Sequence, residues 1–116
     1  FRVYKYLDDC WLSQNLSTDR GFIAELLGLF AVQCEEAIGV FLEPHGSSDL
    51  SRVRELAHKL KGSGGALGLA VVVERMAAVE DAVRGGVGPL SRVLDEGAIV
   101  LREAMRDAEE YVEKNV

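Results

Sequence analysis

The sequence predicts an all-α protein, an antiparallel up-down-up-down four-helix bundle with an additional N-terminal helix. Three observations carry the prediction. Apolar residues recur at spacings of three and four along four long segments, which places them on one face of a helix. No segment alternates apolar and polar residues between hairpin turns, so no strand competes. The breaks between segments are short clusters rich in Pro, Gly and Ser, and short connections between long amphipathic helices make neighbours antiparallel. The 116 residues, 48% of them hydrophobic, suffice for one core, and residues 1–116 are read as a single domain.

Residues 1–15 are predicted as the additional helix, with Val3, Leu7, Cys10 and Trp11 on one side and Asp8 and Asp9 toward water. A helix this short is marginal alone, so it is placed as a lid across one end or side of the bundle. Ser17-Thr18-Asp19 supplies an N-cap for the second helix, in which Ile23, Leu27, Phe30, Cys34, Ala37 and Phe41 form a bundle seam. Phe22, Leu26 and Leu29 flank that seam, where they either widen the core or leave an apolar strip at the surface. Pro44-His45-Gly46-Ser47-Ser48 ends this helix and caps the third, which starts at about Asp49 and carries the stripe Leu50, Val53, Ala57, Leu60, Gly64 and Leu67.

Gly68 is the expected stop of the third helix. Leu69, Val72, Met76, Val79 and Val83 then mark a fourth. The β-branched run Val71-Val72-Val73 suggests a strand, but the spacing continues to Val83 and the neighbouring Glu, Arg, Met and Ala favour helix. Gly85-Gly86-Val87-Gly88 is a turn, and Pro89 is predicted as the first residue of the last helix. There Leu90, Leu94, Gly97, Leu101, Ala104, Ala108 and Tyr111 repeat the seam, while the other faces are charged and mostly acidic.

The balance of 13 Lys and Arg against 19 Asp and Glu gives a net charge of −6, which argues against general binding to nucleic acid or to anionic membranes. Positive charge gathers locally: Arg52, Arg54, Lys59 and Lys61 stand against Glu55 in residues 51–62, a patch suited to an anionic ligand or an acidic partner. The two cysteines, Cys10 and Cys34, form no CxxC or metal-type spacing and read as reduced core or near-core residues. No run approaches the roughly 18 apolar residues of a membrane span and no signal-peptide pattern is visible, so a cytoplasmic location is expected. With no Cys/His cluster, no Gly-x-x-x-x-Gly-Lys-Ser/Thr loop and no carboxylate pair beside a histidine, no metal or nucleotide of its own is expected.

The chemistry concentrates in Ala57-His58-Lys59-Leu60-Lys61-Gly62-Ser63-Gly64-Gly65-Ala66-Leu67-Gly68. Opposite the apolar stripe, His58 shares the wetter face with Arg54, Lys61, Gly62 and Gly65. Each interior glycine costs about 0.5–1 kcal/mol relative to alanine, and close approach by another body is the natural reason for one. Imidazole is a nucleophile at neutral pH, so His58 suits a phosphoryl carrier. Phosphoryl transfer depends on positioning and charge neutralisation. Lys61, one turn away, can pair with phosphoryl oxygens, Lys59 and Arg54 add to the field, and Gly62 and Gly65 lower the surface for a partner's acidic, metal-loaded pocket. Gly64, on the apolar side, admits a neighbouring helix instead. The plainer alternative is a helical docking module in which His58 is an incidental solvated residue. His45 has no companion group in sequence. Glu80 falls at the edge of the fourth helix's stripe, either as a rim residue or as a hydrogen-bonding neighbour of His58.

The run from Ala57 through Ser63, followed by Gly65-Ala66-Leu67-Gly68, closely resembles the signature of histidine-containing phosphotransfer (HPt) domains of multistep phosphorelays. The family's fold, a four-helix bundle with an accessory N-terminal helix, agrees with the reading above. The resemblance implies that His58 is phosphorylated, that Lys61 is the cation beside the phosphoryl group and that Gly62 is the clearance for an incoming receiver domain. It implies a docking surface from the first helix and the start of the second, at Leu7, Trp11, Phe22 and Leu26. The implied partners are response-regulator receiver domains, which bring the magnesium ion, and a hybrid sensor histidine kinase. The protein itself would be a monomeric stoichiometric carrier rather than an enzyme. Glu80 stands where many members have a glutamine contacting the histidine. A carboxylate there is expected to favour a protonated ring and to repel a phosphoryl group. The phosphorylated domain of chemotaxis-type kinases is similar in fold and motif, its histidine being loaded by an attached kinase domain. No kinase motif is present in this chain.

Overall fold

The computed structural model describes residues 4–43, 50–85 and 89–115. Five helices follow one another among them: α1 (Asp9–Asn15), α2 (Arg20–Phe41), α3 (Leu50–Ala66), α4 (Ala70–Val83) and α5 (Leu90–Lys114). Their ends obey local chemistry. The Asp8 carboxylate accepts the Trp11 N–H at 3.0 Å and the Asp19 carboxylate accepts the Phe22 N–H at 3.1 Å, each satisfying a donor that the first turn of a helix leaves unpaired. Gly68 takes φ +72°, the left-handed conformation glycine adopts without penalty. The chain then turns back, so that the Leu69 N–H reaches the Gly64 carbonyl at 2.8 Å and the Gly68 N–H reaches that of Gly65 at 3.2 Å. The β-branched run lies in α4, as its spacing predicts.

α2 to α5 close into a ring, each packing on the next and α5 on α2. Arg20, at the start of α2, donates from Nε to Asn115 just past the end of α5, at 2.7 Å. At the opposite end of α2, Phe41 lies beside Gly97 in the first half of α5. These two helices are therefore antiparallel. The same holds for α3 and α4, where Gly64 meets Val72 and His58 meets Glu80. The connection between them reaches about 14 Å at full extension, too little to span the roughly 25 Å of α3 and return it parallel. Every residue of the predicted α2 seam is buried, as are Leu94, Gly97, Leu101, Ala104, Ala108 and Tyr111 of α5. Among the described residues, no helix is long and apolar enough to cross a membrane.

The N-terminal prediction needs correction. Helix α1 starts only at Asp9, because Asp8 caps it, and residues 4–8 run as a non-helical strap across α5. The strap is drawn there by Asp107. This carboxylate is buried and accepts the backbone N–H groups of Lys5, Tyr6 and Leu7 at 3.1, 2.7 and 3.0 Å. The change of phase puts Leu12 into the core, leaves Trp11 half-buried and exposes Cys10, which is not a near-core residue. Pro89 is the N-cap of α5 rather than its first residue: its ψ of 129° is extended, while its carbonyl already accepts the Val93 N–H. Val3, the expected break at Pro44–Ser48 with His45, the start at Asp49, and Gly86–Gly88 lie outside the described residues.

Candidate functional site

Helix α3 buries Val53, Leu56, Ala57, Leu60 and Gly64 against the bundle and turns His58 outward, its side chain 74% exposed. Glycine at 64 has a packing cause. A Cβ there would stand 2.8 Å from Val72 Cγ1, so only the missing side chain lets α4 come this close to α3. Two turns along the same contact, α4 presents Glu80, whose carboxylate is 4% exposed.

Glu80 bridges His58 and Lys61 of α3. Its Oε2 lies 3.1 Å from His58 Nδ1 and its Oε1 lies 2.7 Å from Lys61 Nζ. The Lys61 ammonium beside Oε1, helped by the His58 hydrogen bond, holds the Glu80 carboxyl below the usual carboxylate range although burial pushes the other way. An ionised carboxylate can only accept. Nδ1 therefore carries a proton, and in the neutral ring the lone pair sits on Nε2. Glu80 is thus the hydrogen-bonding neighbour and not a rim residue.

A shallow open cleft beside the ring is lined by Ser51, Arg54, Glu55, His58 and Glu80. Ser51 escaped the sequence reading and Glu55 entered it only as a counter-charge, although spacings of seven and three from His58 put them on its face. The cationic patch divides. Arg52 turns away to ion pairs with Glu36 and, at 3.9 Å, with Glu55. Arg54 and Lys59 are exposed and, among the described residues, have no carboxylate within ion-pair distance. Lys61 is about one-third exposed and points at Glu80.

The glycines of α3 differ in kind. Nothing lies within 4 Å of a Cβ built on Gly62, and one built on Gly65 would make ordinary contact with Val73 at 3.7 Å. Internal packing requires neither to be glycine, and both leave the surface low beside the imidazole.

Of the four apolar residues expected to form the docking surface, three are accessible. Phe22 is 44% exposed, while Leu26 and Trp11 are half-buried. Leu26 lines an apolar groove between α2 and α3 with Leu16, Leu29 and Ala66, and Leu29 is itself 63% exposed. Leu7 is the exception and must be corrected. It is 6% exposed, pulled into the core by the strap on Asp107, and offers no docking surface.

Among the described residues, no group of three or more His, Cys, Asp or Glu side chains is placed to hold a metal ion. Comparison with known families matches the model described as Hpt domain to residues 25–111. That span takes in His58, Lys61, Gly62 and Glu80 and leaves out α1 and the first turn of α2. No curated protein and no solved structure matches the chain.

Proposed function

The chain belongs to the Hpt-domain family, and from that premise we propose that His58 takes a phosphoryl group from the aspartyl phosphate of one receiver domain and passes it to the aspartate of another. Hpt domains serve histidine phosphotransfer in two-component phosphorelays, with receiver domains and kinases as their partners. The observation that carries the assignment to His58 is an exposed imidazole whose Nδ1 proton is held by a buried, ionised Glu80.

With the proton on Nδ1, the Nε2 lone pair attacks phosphorus from the open side of the cleft. The N–P bond forms as the P–O bond to the donor aspartate breaks, and the electron pair of that bond leaves with the carboxylate. The phosphorylated ring, still protonated at Nδ1, carries positive charge, and Glu80 accepts from it at the edge away from the phosphoryl group. This placement answers the expected repulsion. Lys61 neutralises the carboxylate at rest and, being on the rim, can swing its amine to the phosphoryl oxygens. Return transfer reverses these steps. Gly62 and Gly65 leave room for the receiver, Arg54 and Lys59 attract its acidic pocket, and the groove bordered by Phe22, Leu26 and Leu29 docks its apolar rim.

The magnesium ion comes with the receiver, and the protein acts as a monomeric cytoplasmic carrier that turns over no substrate of its own. Loading with phosphoramidate or a phosphorylated receiver tests the reading. Wild-type protein should gain acid-labile, base-stable phosphate, and folded His58→Gln should gain none. Phosphate on the variant refutes the role of His58, and an unloaded wild type favours the docking module.

A further inference from the structure

We propose that Asp107, on α5 and outside the His58 cleft formed by α3 and α4, is a positioning residue for partner docking: it latches the strap that sets α1, and α1 borders the surface a receiver must occupy. The inference rests on the carrier reading above. Its structural basis is separate from the His58 site.

Asp107 lies three residues after Ala104 and four before Tyr111, at the edge of the apolar seam of α5, and it is a carboxylate only 6% exposed. Its only hydrogen-bond donors among the described residues are three successive backbone N–H groups, those of Lys5, Tyr6 and Leu7. One turn earlier on α5, Glu103 accepts the Tyr6 hydroxyl at 2.6 Å and pairs with the Lys5 amine. Two carboxylates of one helix thus hold three consecutive residues of another segment by main chain and side chain together. A plain surface tether needs no buried carboxylate.

The strap leads directly into α1. Leu7 and Leu12 anchor it in the core, and the Trp11 ring lies on Gly68, where a Cβ would come within 2.6 Å of the ring. Just beyond α1, Leu16 closes one wall of the groove that Leu26, Leu29 and Ala66 share. Trp11 also borders Gly65, the glycine two turns from His58. Position of the strap therefore fixes both apolar surfaces flanking the imidazole's approach. Removing the Asp107 carboxylate leaves three backbone donors without partners. They find water most readily if the strap lifts from α5. The Glu80–His58–Lys61 bridge lies on α3 and α4, and this change does not touch it.

The test compares two donors on Asp107→Ala, with phosphoramidate reading His58 chemistry and a receiver domain that loads wild-type protein reading docking. Trp11, the only tryptophan, reports the position of α1 by its emission. Expected are a red-shifted emission, a KM for the phosphorylated receiver raised roughly tenfold, as for loss of an apolar anchor, and an unchanged phosphoramidate rate. Asp107→Asn, which keeps one acceptor oxygen, should fall between wild type and Asp107→Ala. Tyr6→Phe removes a single latch bond and covers the case in which Asp107→Ala does not fold: it should raise the receiver KM slightly and leave phosphoramidate loading alone. An equal loss with both donors, or an unchanged receiver KM in all three variants, overturns the latch. A wild type that phosphoramidate cannot load overturns the carrier reading and the latch with it, whereas a loaded wild type with an unaffected Asp107→Ala overturns the latch alone.

Discussion

Substituting alanine for Gly62 and for Gly64, two residues apart on one helix, should change stability in opposite directions. Both changes remove the backbone freedom of an interior helical glycine, which favours folding by about 0.5–1 kcal/mol. At Gly62 nothing lies within 4 Å of the new methyl group, so the whole gain remains. At Gly64 the methyl would stand 2.8 Å from Val72 Cγ1 and 3.2 Å from its Cβ. Valine in a helix has essentially one χ1 rotamer and cannot swing aside, so α3 and α4 must separate by several tenths of an ångström. Overpacking of this kind costs about 1–3 kcal/mol, leaving Gly64→Ala destabilised by up to about 2.5 kcal/mol. For a domain of this size a kcal/mol moves the midpoint by roughly 4 °C. Thermal and urea unfolding followed by circular dichroism should therefore show Gly62→Ala melting a few degrees above wild type and Gly64→Ala well below it. Shifts of the same sign would refute the division of the glycines into one that faces a partner and one that admits α4. The functional arm runs the other way: Gly62→Gln should fold well yet slow exchange with a receiver, and unimpaired exchange would remove the steric role assigned to Gly62.

The remaining predictions concern charge and thiol accessibility. Glu80 is held below its usual value when folded, so it stabilises the protein above the unfolded carboxylate value of about 4.3, and that contribution disappears as pH falls through the folded value. Glu80→Gln should then be less stable than wild type by about 1–2 kcal/mol at pH 7, the low part of the range for charged hydrogen bonds because Lys61 can turn to water. The gap should narrow as pH falls below the unfolded carboxylate value and through the lower folded one, and urea titrations showing a gap that stays constant as Glu80 is protonated would contradict the bridge. Cys10 is exposed, whereas Cys34 is fully buried with its thiol pushed up to about 12 by that burial. A thiol reagent at pH 8 should label one cysteine rapidly in the native protein and both after unfolding. Rapid labelling of two native thiols would place Cys34 elsewhere.

The sequence by itself determined the helices, their order and the candidate nucleophile. Apolar spacings of three and four are local facts, and α2 through α5 buried the seams those spacings marked. Gly68 stopped α3 because one residue's φ decides a helix end. His58 stood out because its companions Lys61 and Gly62 lie one turn away in the same chain. Only the tertiary structure decided what faces across helices. The spacing of Glu80 on α4 left it undetermined between rim and partner. It became the bridge between His58 and Lys61 once Gly64 let α4 come against α3, a distance that no single helix encodes. Asp107 read as one more acidic residue on α5, since its three donors are main-chain groups a hundred positions away that carry no side-chain signature. The same long-range contact turned the expected start of α1 into a strap, moving Leu7 from the surface to the core. Periodicity fixes which residues share a face, whereas the carboxylates that end up buried depend on which distant donors the packed bundle brings to them.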